Sequence, residues 1–337
     1  MANRHNSLER IVHRASEEIH ASRMIAKETS FSEGINAFCA KLDIQVMNHN
    51  GYQESDAVKA RLLRKHEAVL RYLESRFGDY YASYDYDAPL PPVTSDRSNK
   101  IWMCWWQGLD SAPEIVKACV ESVRRNAGGR EIIIITDKNV SNYVKFPSWI
   151  IKKIDAGIIT RTNLSDLLRL SLLASYGGMW LDSTFYCVGS LDKSLYNGPI
   201  FSIKRPDYLH ASVAGGMFAG YSLGCDDDHR RAFATIRDFF LEYWRRNDFM
   251  VDYLLVDYLT VLAQRHDPWI AEAFNEIQPN NPDCDELFKI LDQPYDEDMW
   301  KRLSAHTDLF KLTWKQDFPV EHDGEKTFYG MLEGIGD

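Results

Sequence analysis

Asp166, Arg169 and Asp182 are the residues whose types and spacing could do chemistry in this chain. Asp166 and Arg169 lie three apart, so on a helix they share a face. Their neighbours are Leu167, Leu168, Leu170, Leu172 and Leu173. A charge in such surroundings is costly unless it is paired or used. The plain alternative is an intrahelical ion pair or a strut to a loop carbonyl. After Tyr176, Gly177-Gly178 stops the helix, because glycine supplies the left-handed cap conformation; it also lets a ligand approach the backbone closely. A short apolar strand then ends on Asp182-Ser183-Thr184. Acids one residue apart at a strand end can hold a divalent cation that bridges a diphosphate, since hard cations take oxygen ligands. Here the third position is Thr184, a weaker and neutral ligand. Ligands of open α/β sheets bind beyond the carboxyl ends of the strands. The string SDLLRLSLLASYGGMWLDST reads as a site.

The elements that must position these residues alternate along the chain. KIWMCWW from Lys100 reads as a buried strand, followed by a helix from Ser111 with Glu114 completing a capping box. Gly128-Gly129 ends that helix, and EIIIIT is a second buried strand leading to Asp137. A helix over 163–175 and a strand over 179–186 continue the rhythm, with further strands at 199–203 and 212–220. Residues 226–246 and 249–265 read as long helices, and 300–320 as an irregular tail. Continuous β-branched runs alternating with helices predict a mostly parallel sheet covered on both faces. By period two, Trp105 and Gln107 share a face at the end of the first strand. Upstream, residues before 79 read as helices: Ser30 and Glu33 fit a capping box, Leu62, Leu63, Val69, Leu70, Leu73 and Phe77 form a stripe, and Gly78 is a stop. The Pro-, Tyr- and Asp-rich stretch 79–99 reads as a connector. The expected organisation is a helical subdomain over 1–96, an α/β domain over 97–320 and a C-terminal tail over 321–337.

Bulk composition narrows the function. The chain has 337 residues with 49 acids against 39 bases, a formal charge of -10, which argues against broad nucleic-acid affinity. Six scattered cysteines contain no C-x-x-C pair and read as reduced core thiols. The N-terminus is polar, and no apolar run reaches the roughly 20 residues a membrane span needs. A cytoplasmic location is expected. Asp252 and Asp257, five apart, do not share one helix face cleanly; they read as solvated, the alternative being that either binds an acceptor hydroxyl, and Asp226-Asp227-Asp228 read as acids opening a helix.

Taken whole, Ser165, Asp166, Arg169, Leu173, Tyr176, Gly177, Gly178, Leu181 and Asp182 match in register the sugar-nucleotide signature of another group of proteins. The string resembles that of the family-32-type glycosyltransferases, most closely their capsular polysaccharide synthesis branch. KIWMCWWQG upstream and FKLTWK downstream are similar to further motifs of that branch. The resemblance implies a GT-A type, Rossmann-like, mostly parallel sheet flanked by helices. It implies a retaining transfer of sugar from a UDP- or GDP-sugar to a hydroxyl of a glycan or lipid-linked glycan acceptor, at the inner membrane face with peripheral association. Implied nucleotide-sugar contacts are Trp105, Gln107, Asp137, Asp166, Arg169, Tyr176, Gly178, Lys311 and Trp314. Asp182, Asp166 and Arg169 are the expected catalytic residues. Asp182, Thr184 and His306 are the expected ligands of a divalent cation, Mn²⁺ or Mg²⁺. Many relatives have a second Asp where this chain has Thr184. Two rival readings use the same site: a nucleotide-sugar hydrolase, and a catalytically silent scaffold or sensor. No G-x-G-x-x-G follows a strand, so dinucleotide-dependent redox chemistry is set aside.

Overall fold

A computed structural model of the chain describes residues 7–92, 99–206 and 208–332. Three helices come first: α1 (Ser7–Glu28), α2 (Phe31–Met47) and α3 (Asp56–Ser83). Ser30 caps α2 by accepting from the Glu33 amide, and Ser55 caps α3 through the Val58 amide. Gly78 does not stop α3, which runs on to Ser83. The tyrosine stripe there supplies the reason: Tyr80, Tyr81, Tyr84 and Tyr86 all pack their rings on Phe239. That burial outweighs the weak helix propensity of one glycine. The connector residues 93–98 lie outside the described residues.

The α/β part begins with β1 (Lys100–Cys104), α4 (Glu114–Arg125), β2 (Glu131–Ile135) and α5 (Ser148–Asp155). No capping box opens α4; Pro113 stands at its N-cap, and Leu109–Ser111 forms a separate 3-10 turn. Next come α6 (Arg161–Tyr176), β3 (Gly178–Leu181), β4 (Phe185–Cys187), β5 (Ile200–Ser202) and β6 (Ser222–Cys225). Then α7 (Arg230–Arg246), α8 (Leu255–His266), α9 (Pro268–Asn275) and α10 (Glu297–Ser304) lead to β7 (Leu309–Lys311) and the hairpin β8 (Glu321–His322) and β9 (Glu325–Lys326).

The central sheet has five strands in the order β2-β1-β3-β6-β5. β1 pairs in parallel with β2 (Cys104 opposite Ile135) and with β3 (Trp102 opposite Trp180). β6 is antiparallel to both β3 and β5. The fold is mixed α/β with a mostly parallel sheet, as the alternation predicts. The carboxyl ends of β1, β2 and β3 share one edge, where Trp105, Thr136 and Asp182 emerge.

Three further expectations fail in instructive ways. The strand over 179–186 is two strands: β3 belongs to the main sheet, whereas β4 turns away at Asp182-Thr184 and pairs with β7. Residues 212–220 are turns rather than a strand, because Gly215 and Gly216 sit at φ 55° and 78°, where an extended ladder cannot run. The tail over 300–320 contains β7, whose Lys311 lies opposite Phe185. Beyond it, Phe328 and Leu332 are buried with Leu287, Leu291 and Phe310.

One hydrophobic cluster joins the N-terminal helices to the sheet and to α6, α7 and α8, through Val69, Tyr72 and Leu73 of α3 together with Trp102, Leu168, Phe239 and Leu259. Lys65 of α3, 1% exposed, pairs with Asp252 at 2.9 Å. Burial alone would raise Asp252, but Lys65 and Lys41 override it and hold the carboxyl down at about 2. The six cysteines are free thiols. Among the described residues no helix is long and apolar enough to cross a membrane.

Candidate functional site

The site is built on α6 and the strand that follows it. Thr160 caps α6 in a reciprocal capping box with Asn163. Leu164, Leu167, Leu168 and Leu170 to Leu173 are all buried, so the helix is apolar on nearly every side. Arg169 is buried among them at 6% exposure. Its Nη1 lies 3.3 Å from Asp166 Oδ1 and its Nη2 lies 3.3 Å from Asp182 Oδ1, so one guanidinium bridges the helix and the strand end. The Trp180 indole N–H also donates to Asp182 Oδ1 at 3.0 Å, and the guanidinium sits 5.2 Å from the Trp180 ring centre. Arg169 Nε is buried without any hydrogen-bond partner.

β7 supplies the second cation. Lys311 Nζ donates to Thr184 Oγ1 at 2.6 Å and stands 3.7 Å from Asp182 Oδ2. The register of β7 against β4 fixes this placement, since Lys311 faces Phe185, the neighbour of Thr184. Asp182 thus has a cation beside each of its oxygens. Two further acids face Arg169. Asp166 is pushed up to about 6, chiefly by burial, with Arg169 opposing and Asp182 adding to the rise. Asp257, at the start of α8, is pushed up to about 7 by burial, against Arg169 and with Asp166 and Asp252.

Around this cluster the loops after β1 and β2 are tied to α6. Trp106 donates to Ser165 at 2.9 Å, and Arg161 bonds Asp137 at 2.7 Å while lying over the Trp106 ring. Trp105 meets Trp314 edge to face, with ring centres 5.5 Å apart. Trp314 is 48% exposed, so this pair presents aromatic surface to solvent.

A family model described as capsular polysaccharide synthesis protein matches residues 49–332. The chain belongs to that family. Among curated proteins, the chain is similar to the O-glycosyltransferase braB of Annulohypoxylon truncatum, at 29% identity over 115 residues. The match covers 32% of this chain and 27% of that relative. No solved structure matches.

In this chain, the geometry brings together Asp166, Arg169, Asp182, Thr184 and Lys311, residues separated by up to 145 positions in sequence. It does not bring all the sequence candidates there. Tyr176 ends α6 at its far end, where it stacks near Trp102 and donates to the Tyr143 carbonyl. Gly178 opens β3, so the length of that strand separates it from Asp182. Their work is packing; Trp102 donates to the adjoining Gly177 carbonyl. Gln107 is exposed on the loop after β1, and Asp137 is exposed and engaged by Arg161. His306 is exposed and precedes β7 at the end away from Lys311, so the strand carries it away from Asp182.

The donor set does not make a protein-only cation site. Asp182 is the single acid beside Thr184, Lys311 already binds the Thr184 hydroxyl, and His306 is elsewhere. Among the described residues no group of three or more His, Cys, Asp or Glu is arranged to hold a metal. Asp252 and Asp257, expected in solvent, are instead 4% and 7% exposed. The signal is the same as in α6: VDYLLVDYL sets acids among apolar residues as SDLLRLSLL does, although α8 begins only at Leu255 and leaves Asp252 in the loop before it.

Proposed function

We propose that this protein is a retaining glycosyltransferase of GT-A type. It moves a sugar from a UDP- or GDP-sugar to a hydroxyl of a glycan or lipid-linked glycan in surface polysaccharide synthesis. It works in the cytoplasm at the inner membrane face, where lipid-linked acceptors are presented. One observation carries this reading: Arg169 joins Asp166 to Asp182 at the carboxyl edge of the parallel strands, with Lys311 closing the other side of Asp182. Family membership and the name of the braB relative support the same class.

In this proposal the Trp105–Trp314 pair receives the nucleotide base, and Asp166 with Arg169 grips ribose and sugar. Loss of a nucleoside diphosphate develops negative charge on the leaving oxygen, and a preorganised cation there lowers the barrier. Lys311 and Arg169 are the cations this chain provides, so no step is assigned to a metal. The acceptor hydroxyl attacks from the face the leaving group departs, its proton passes to the departing phosphate oxygen, and no protein nucleophile is consumed. Asp182 keeps Arg169 and Lys311 in place.

Thermal-shift measurements against UDP-glucose, GDP-mannose, UDP and GDP test the reading. A ligand at 100 times its Kd stabilises the folded state by about 2.7 kcal/mol. A clear rise in Tm is expected for one base series. No rise with any of them sinks the proposal. Asp182→Asn should cut transfer on the order of 100-fold or more with an unchanged fold, since preorganised electrostatics are lost. Near-normal turnover in that variant removes Asp182 from its role.

A further inference from the structure

Asp257 is the residue that the proposed chemistry leaves unused. It lies in the first turn of α8 and is 7% exposed. Its carboxyl makes no hydrogen bond or ion pair among the described residues, unlike Asp252 five positions earlier, which is held by Lys65. It points at Gly220, two residues before β6 at the same sheet edge as Asp182. A Cβ on Gly220 would fall 2.7 Å from Asp257 Oδ1 and 3.4 Å from Arg169 Nη1. The bare glycine leaves room for the acid and the guanidinium together on one side of that backbone. The arginine also has unspent capacity, because its buried Nε has no partner.

A carboxyl without a protein partner beside a guanidinium whose buried Nε is unsatisfied leaves hydrogen-bonding capacity that a ligand can complete. A sugar diol suits such a pair, since each hydroxyl both donates and accepts. A sugar carboxylate does not. Asp166, Asp182 and Asp257 all face this space, and Arg169 is already shared between two of them. Above pH 7 Asp257 is ionised, and an added carboxylate then meets like charge at a largely buried position, where repulsion is strong.

We infer that Asp257 is a specificity-determining residue that binds hydroxyls of a neutral donor sugar beside Arg169 and excludes acidic sugars. The inference rests on the donor reading above and narrows it to neutral, hydroxyl-rich rings. Calorimetric titration at pH 8, where Asp257 is ionised, separates the two. Wild-type protein is titrated with UDP and GDP, and with base-matched neutral and uronic donors (UDP-glucose against UDP-glucuronate, GDP-mannose against GDP-mannuronate). Asp257→Asn, which keeps the shape, and Asp257→Ala are titrated in parallel after their Tm is checked. The neutral donor should bind wild type at least about tenfold more tightly than the uronic one, and Asp257→Asn should narrow that gap. Both variants should weaken the neutral donor about tenfold while leaving the nucleoside diphosphate within about twofold. Equal loss of diphosphate and donor in a folded variant overturns the inference, as does no loss of either. Uronic donors binding wild type as well as neutral ones overturn it without any variant. Failure of wild type to bind any nucleotide or nucleotide sugar would remove the donor reading itself, and the inference with it.

Discussion

At the scale of single residues, the site is a contest over Asp182. Arg169, Trp180 and Lys311 all turn toward its carboxylate. If Lys311 is the resident cation, chelation by EDTA should leave UDP or GDP binding within about twofold, whereas Lys311→Met should weaken it tenfold or more, by analogy with charge-assisted phosphate contacts. Binding lost to chelator and restored by Mn²⁺ would instead assign that charge to a metal. Asp257 carries a second prediction, in stability. Its folded pKa is raised to about 7, so between about pH 4 and 7 the folded state holds a proton the unfolded chain releases. Stability contributed at this position falls as pH rises through that window. The charges that face it are Arg169, Asp166 and Asp252. Asp257→Asn should raise Tm by a few degrees at pH 8, on the order of 1–3 kcal/mol, and hardly at pH 5. Equal Tm changes at both pH values would show that burial of its charge is not the cause.

At the scale of elements, two devices hold the site. The first is α6 itself, whose capping box starts it and whose leucines bury Arg169 between Asp166 and Asp182. The second is the clamp between α3 and the loop before α8. Lys65 binds Asp252, and His66 links Tyr258 to the His210 carbonyl at 2.6 and 2.8 Å. His66 stays neutral in the fold, brought down to about 4 mainly by burial and then by Lys65. Lys65→Met leaves Asp252 buried with one cation fewer and should cost roughly 3–5 kcal/mol in chemical denaturation. Asp257 belongs to the same helix as Tyr258, so that loss should also weaken donor binding. A cost under about 1 kcal/mol would mean the pair behaves as an exposed one.

At the scale of the whole molecule, the N-terminal helices and the sheet share one core. Val69, Tyr72, Leu73, Phe77 and Tyr81 of α3 lie in the same apolar cluster as Trp102, Leu168, Phe239 and Leu259. Each large side chain of that set is worth about 1.5–3 kcal/mol when buried. A chain beginning at Asn99 loses five such residues from its partners, against a net stability of about 5–15 kcal/mol for a typical domain. That truncated chain should be insoluble or lack cooperative unfolding by circular dichroism. A sharp transition in it would show that the α/β part folds alone.

Periodicity and local chemistry determined much of this protein in advance. The β1–α4–β2 alternation, the buried α6, its Gly177 stop and the placement of Asp182 at a strand end all follow from side chains acting on their immediate neighbours. The pairing of Asp166 with Arg169 is equally local, being one turn of helix. Tertiary structure decided the rest. Nothing near Thr184 in sequence names Lys311; the antiparallel register of β7 on β4 puts it there, 127 positions away. The sequence reads β3 and β4 as one strand, because an apolar run does not say which sheet will take each half. Asp257 read as solvated for the same reason: burial of an acid depends on which helix and which glycine pack over it, and both come from distant segments. Long-range contacts converted two charges on one helix into a cluster with three acids and two cations.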